Sequence, residues 1–276
     1  MKKKQGKIGI FDSGLGGLTI LKEVIALMPN REYLYLGDNL RAPYGNRTQK
    51  KIFQYTLAGV EWLFERGAEI VILACNTASA NALRKIQKDF LPAKYPGKKV
   101  LGIIIPTAEE AINFSKSGHI GVLATKATVA SGTFEKEVKK YAPRIKISSQ
   151  SGGKLVELIE NGENKQKLGL EIEKIVHQLI TKGKFIDAII LGCTHYALIE
   201  GQIRKILPKK IGVINQGNIV AMKLADYLKR HTEISQKLSS SSAVCFYTTA
   251  NDGEIKKKMV QFYGKKIPIE TVAYKA

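Results

Sequence analysis

The sequence predicts an α/β protein built as two pseudo-symmetric parallel-sheet lobes, with a ligand site in the cleft between them. Three observations carry this expectation. Short, continuous apolar runs alternate with amphipathic stretches along the chain, the pattern of buried parallel strands covered by helices. Two of these runs end in look-alike tips, Ala74-Cys75-Asn76-Thr77 and Gly192-Cys193-Thr194-His195. An early strand precedes each cysteine at similar spacing, 67 residues from Ile8 to Cys75 and 73 from Ile120 to Cys193. The first of these early strands, Lys7-Ile8-Gly9-Ile10-Phe11-Asp12, resembles His119-Ile120-Gly121-Val122-Leu123-Ala124. Duplication explains the repeat; a general likeness among parallel strands is the alternative.

In chain order, strands are expected near residues 7–12, 33–37, 69–74, 99–104, 119–123, 144–148, 187–191, 211–214 and 244–248, each a short apolar run. Helical periodicity falls between them at 17–28, 48–66, 78–91, 107–116, 131–141, 166–182 and 217–231. The serine-rich stretch from Ser235 to Ser242 reads as a surface loop.

Composition narrows the class. With 276 residues and 44% hydrophobic content the chain can bury a substantial core. No apolar run approaches the roughly 18 residues that span a bilayer. The basic start Met1-Lys2-Lys3-Lys4 is not followed by a signal-peptide core, since Asp12 comes directly after Ile8-Gly9-Ile10-Phe11. Three cysteines, Cys75, Cys193 and Cys245, are too few for a disulfide framework, so a reduced, cytoplasmic protein is expected. The net charge of +20 admits nucleic-acid binding, but the lysines are dispersed and lack aromatic interleaving. A lysine-rich solvated surface is the plainer reading, and neither a nucleic-acid nor a membrane partner is expected.

The chemistry-bearing residues sit where strands end, the place parallel sheets present ligands. Asp12-Ser13-Gly14-Leu15-Gly16-Gly17 opens a helix, and its amides suit an anionic group. Its glycine spacing fits neither the dinucleotide fingerprint nor the phosphate loop. Asp12 is a helix cap or a functional carboxylate. Asp38 to Gly45, with Pro43-Tyr44-Gly45, reads as a turn able to carry binding residues. Cys75 lies beside a helix start that lowers a thiol pKa. His195, two residues from Cys193, can tune or shuttle its proton. Cys245 lies within a strand and reads as core. Zinc is the rival use of Cys193 and His195, but no Cys-x-x-Cys pair accompanies them. A thiol hydrolase would use one cysteine and leave the second unexplained. A redox pair 118 residues apart departs from Cys-x-x-Cys. Two thiols facing one substrate suit removal of a proton from one face of a carbon and its return to the other.

Together, Asp12-Ser13-Gly14-x-Gly16-Gly17, Pro43-Tyr44-Gly45, Cys75-Asn76-Thr77-Ala78-Ser79 and Gly192-Cys193-Thr194-His195-Tyr196 resemble the glutamate racemase family, in order and over nearly the whole chain. Tyr247-Thr248-Thr249 is similar to the family's C-terminal part. The resemblance implies a cofactor-independent racemase, without metal, acting on L- and D-glutamate, with D-glutamate supplied to peptidoglycan. It implies lobes of residues 1–99 plus 212–276 and of 100–211, and a homodimer. Cys75 would take the proton from D-glutamate and Cys193 from L-glutamate, assisted by Asp12 and His195. Ser13, Tyr44, Gly45, Asn76, Thr77 and Thr194, together with Asp12 and His195, would hold the substrate. Glu160 matches the family's site glutamate by its place before Asn161-Gly162; a helix-face charge is its other reading. Three stretches depart from the family pattern. Ser151-Gly152-Gly153-Lys154 replaces a Cys-Pro-containing stretch, Asn215-Gln216 replaces an Asp-containing turn, and Ala250-Asn251 replaces Gly-Asp. A racemase of aspartate or another acidic amino acid is the nearest alternative, and a basic regulatory protein on this fold is a remoter one.

Overall fold

The computed structural model describes residues 5–162 and 164–276. Its strands are β1 (Lys7–Asp12), β2 (Glu32–Gly37), β3 (Ala68–Leu73), β4 (Lys99–Gly102), β5 (His119–Ala124), β6 (Lys146–Ser151), β7 (Ala188–Gly192), β8 (Gly212–Ile214), β9 (Ala243–Thr248) and β10 (Ile269–Thr271). They form two sheets, ordered β10-β9-β2-β1-β3-β4 and β6-β5-β7-β8, and every pairing in both is parallel. The second sheet repeats the order of the first sheet's β2-β1-β3-β4. In each, the chain reverses direction of winding between the first strand and the cysteine strand. Such a switch point opens a crevice at the strands' carboxyl ends. Asp12 and Cys75 flank one switch point; Thr125 and Cys193 flank the other.

Strand periodicity explains why both faces of each sheet are buried. Along β1, Ile8 and Ile10 join one apolar cluster while Phe11 joins the opposite one. The helices Gly17–Leu27 and Gln216–Arg230 cover the first face; Gln49–Glu65 and Asn76–Lys85 cover the second. In the smaller sheet, Lys165–Ile180 packs on one side and Ile104–Phe114 on the other. Cys245 is half-buried in β9 and packs against the core, as its strand position suggested. Among the described residues no helix is long and apolar enough to cross a membrane.

The expected boundaries between lobes, after 99 and after 211, need correction at strand level. β4 runs to Gly102 and pairs with β3 in the larger sheet. β8 pairs with β7 in the smaller one rather than returning to the first. Crossings are hard to read because strands buried on both faces look alike whichever sheet receives them. The strand expected at 144–148 lies at Lys146–Ser151, and the helix expected from 78 begins at Asn76. The three-residue β10 and the helices Lys126–Ser131, Glu200–Ile206 and Gly253–Tyr263 were not legible as separate elements.

Gly59 lets a covering helix come close to β1. A Cβ there would lie 2.3 Å from the Phe11 ring. Gly59→Ala is therefore expected to destabilise the fold by overpacking, on the order of 1–3 kcal/mol, despite alanine's better helix propensity. Urea unfolding checks this; an unchanged or raised midpoint contradicts the packing reading.

Candidate active site

Each sheet contributes a thiol at a strand end. Cys75 follows β3 and is the N-cap of Asn76–Lys85, its Sγ 3.5 Å from the Ala78 N–H that it accepts. Ser13, just after β1, places Oγ 3.2 Å from the same sulfur. Cys193 follows β7, and its Sγ lies 3.8 Å from His195 Nδ1. Both cysteines are free and buried.

The two thiols line one cavity. From the larger sheet's side it is bounded by Ser13, Tyr44, Gly45, Asn76 and Thr77; from the smaller sheet's side, by Thr194 and His195. Nine of the expected site residues thus meet around one space. Asp12 and Glu160 stand behind them. The cavity measures about 50 Å³. A single water takes roughly 10–15 Å³ by this measure. The space is therefore narrow, with room for about three to five waters.

Carboxylates and one imidazole set the electrostatics. Glu160 Oε1 lies 2.6 Å from His195 Nε2. Burial disfavours the imidazolium, yet contacts with Cys193 and Glu160 outweigh it and push His195 up to about 10. Asp12 is 1% exposed. Its Oδ2 accepts the Gly14 N–H at 2.9 Å, while Oδ1 has no partner among the described residues. Burial raises the Asp12 pKa, opposed by His195 and the amides of Gly14 and Gly17. The helix that follows has Gly16 at its N-cap and no side-chain cap, so Asp12 is not the side-chain cap of that helix.

Cys75 departs from the expectation that its helix N-terminus would lower its pKa. Burial, then the neighbouring Asp12 carboxylate, push the thiol up to about 12, against Ser13 and the Ala78 amide. A helix terminus contributes only ~0.3–2 kcal/mol, at 1.36 kcal/mol per pKa unit, and desolvation at this depth exceeds it.

Several polar side chains are already committed to protein partners. Tyr44 donates to Asp38 Oδ2 at 2.5 Å, and the buried Asp38 also receives Arg41 Nη1 and Thr249 Oγ1, each at 2.8 Å. The Asp38–Gly45 turn is thus braced from within, which the sequence presented only as a turn. Thr77 Oγ1 lies 2.8 Å from Thr125 Oγ1, and Thr128 Oγ1 is 3.0 Å from Thr125. The Asn76 amide is held by Gln216. Asn76 and Thr77 still present backbone N–H groups without intrahelical partners, as first-turn residues do.

Sequence reading missed Thr125, Lys126, Val156, Glu157 and Tyr196 as cavity residues. The weak internal repeat held a signal for the first of these. It aligns Asp12 with Ala124, so Thr125 stands where Ser13 stands in the first sheet. Glu160, readable as a helix-face charge, is instead brought onto His195.

Residues 18–224 match the family model described as Asp/Glu/Hydantoin racemase. A glutamate racemase from Paracoccus denitrificans is 39% identical, covering 96% of this chain and 99% of the relative. One from Ruegeria pomeroyi is 40% identical, covering 94% and 97%. Among solved structures, a glutamate racemase isoform from Bacillus anthracis superposes with a TM-score of 0.89 at 30% identity, covering 98% of each chain. The Francisella tularensis glutamate racemase in complex with D-glutamate gives 0.84 at 28% identity, also covering 98% of each. With a family model matched over most of its length and such relatives matched end to end, this chain belongs to the Asp/Glu/hydantoin racemase family, in its glutamate racemase branch.

Proposed function

We propose that this protein interconverts L- and D-glutamate by proton transfer at Cα, using Cys75 and Cys193 as the two acid/base groups. The observation that carries the reading is that two thiols from two separate sheets line one small cavity. A substrate Cα between them has one thiol on each face. One sulfur removes the α-proton and the other returns a proton from the opposite side. Cys75 serves as base for D-glutamate and Cys193 for L-glutamate.

The surrounding groups follow from charge. A thiol held near 12 ionises only when positive charge arrives. The substrate ammonium supplies it, drawn by the buried Asp12 carboxylate that stands behind the cavity wall beside Cys75. On the other side, the His195 ring keeps its proton across the neutral range and attracts negative charge on the Cys193 sulfur. Deprotonation builds charge on the α-carboxylate. First-turn amides at Asn76 and Thr77, with the hydroxyls of Ser13 and Thr194, answer it. Closure of the cavity excludes water, which would otherwise quench the carbanion. Glutamate is favoured over aspartate because the similarity to aspartate racemase structures, such as that of Picrophilus torridus at 20% identity and a TM-score of 0.53, extends only to fold. We also infer a cytoplasmic homodimer supplying D-glutamate for peptidoglycan, since free thiols must stay reduced to work. The +20 charge is spread over lysines dispersed along the sequence without aromatic interleaving, which disfavours a nucleic-acid partner.

Incubation with L-glutamate in D2O without added cofactor is expected to give loss of optical activity with α-deuteration, while L-aspartate stays unchanged. Exchange of aspartate instead transfers the activity to the neighbouring substrate class, and exchange of neither removes it. Cys75→Ala and Cys193→Ala should each lower kcat by roughly 10²–10⁴-fold. A variant that keeps full racemisation contradicts the two-thiol scheme.

His195 also ties stability to pH. Its folded pKa of about 10 exceeds the unfolded value near 6.5, so its contribution is complete below pH 6.5 and disappears as pH rises through 10. The urea midpoint is expected to fall across that window, and His195→Asn should flatten the fall. An equally steep decline in the variant refutes the assignment.

A further inference from the structure

We infer that Gln216 is a positioning residue for Cys75, acting through Asn76, an inference that rests on the two-thiol reading. The three side chains involved come from three distant segments and are all fully buried. Asn76 and Gln216 are each 2% exposed, and Thr107 is 0% exposed. Asn76 Nδ2 donates to Gln216 Oε1 at 2.6 Å. Gln216 Nε2 donates back to Asn76 Oδ1 at 3.1 Å and also to Thr107 Oγ1 at 2.9 Å. Thr107 spends its own proton on the Ile103 carbonyl at 2.6 Å. Each donor direction is therefore fixed by the next, and neither amide can turn over without orphaning a buried group.

The location gives this cluster its consequence. Thr107 lies in the helix Ile104–Phe114, just after the chain leaves β4 of the larger sheet. Gln216 begins the helix Gln216–Arg230, just after the chain leaves β8 of the smaller sheet. Both crossings between sheets are thereby tied to Asn76, the first residue of the helix that Cys75 caps. The Cys75 sulfur takes its place from that helix start, through the Ala78 N–H at 3.5 Å. A shift of Asn76 moves the thiol relative to the substrate face it serves, while Cys193, after β7, is held by a separate set of contacts.

Such a residue has an asymmetric signature. Enantiomers in solution are equal in free energy, so loss of Gln216 must lower kcat/KM equally in both directions. Isotope effects are not bound by that equality. If transfer at Cys75 alone becomes slower, abstraction from α-deuterated D-glutamate becomes more rate-limiting and its isotope effect on kcat/KM rises. In the opposite direction Cys75 only returns a solvent-derived proton, so the isotope effect with α-deuterated L-glutamate falls.

The test uses Gln216→Met, which keeps the side-chain length and removes the three hydrogen bonds that Gln216 makes, and Thr107→Val, which leaves the Asn76–Gln216 pair and removes the Gln216 bond together with Thr107's own bond to the Ile103 carbonyl. Gln216→Met is expected to lose about tenfold in kcat/KM, as for an unsatisfied buried amide, with the isotope effect up for D-glutamate and down for L-glutamate. Thr107→Val should show the same direction at smaller size and remains informative if the first variant does not fold. Wild-type racemisation with isotope effects unchanged, or changed equally in both directions, in the variants overturns the inference alone. A wild-type protein that does not racemise glutamate overturns the function reading and this inference together.

Discussion

Gly16 has no room for a side chain. A Cβ there would lie 2.2 Å from Thr194 Oγ1 and 2.6 Å from His195 Nδ1. The loop after β1 and the loop after β7 belong to different sheets, and this is where they meet. Without that approach Ser13 and Cys75 would face one space and Cys193 and His195 another. The Thr19 hydroxyl, which donates to the Gly16 carbonyl at 2.8 Å and reaches the Thr194 carbonyl at 3.4 Å, fastens the same junction. Two equivalent sheets are useful to a two-sided reaction only when their switch points are apposed.

The electrostatics follow from that apposition. Asp12, Glu160 and Glu157 are brought around one narrow space, with His195 and Lys126 as the cations beside it. The site is therefore short of positive charge when empty, while the protein's surface has an excess of it. An amino acid carries its ammonium into this deficit. On the proposed two-thiol reading, the same cation that is bound also makes the Cys75 thiolate less costly, so binding and activation of the base are one event. The helix terminus at Cys75 cannot achieve this alone, because a partial charge does not offset burial beside a carboxylate.

The parts of the site written at strand ends were legible in sequence. Asp12, Cys75, Cys193 and His195 each lie at or just past the end of an apolar run; local spacing joined His195 to Cys193, while the pairing of Asp12 with Cys75 came from the family resemblance. Thr125 was hidden because Ala124 occupies the position equivalent to Asp12, so the second copy of the motif lacks its carboxylate. The Asn76–Gln216 and Gln216–Thr107 bonds join residues 140 and 109 positions apart, and no periodicity connects such residues. The strand-level crossings were misplaced for a related reason. Parallel strands buried on both faces have no face-specific pattern to say which sheet they enter.

Closure joins these threads. A cavity of about 50 Å³ leaves little space beyond a substrate of a few waters' volume, so relative movement of the two sheets is the expected route for glutamate to enter and leave. The chain crosses between the sheets after β4 and after β8, and motion concentrates where few segments connect two bodies. Thr107 and Gln216 lie just past those crossings, and both are hydrogen-bonded into the start of the Cys75 helix. The connection that must bend is thus anchored to the thiol whose position must not vary. The stretch Asn215-Gln216, read from sequence as a departure from the family pattern, falls on that anchor. A side chain long enough to reach both Asn76 and Thr107 is what the position requires, and Gln216 supplies it with one acceptor and two donors, each used.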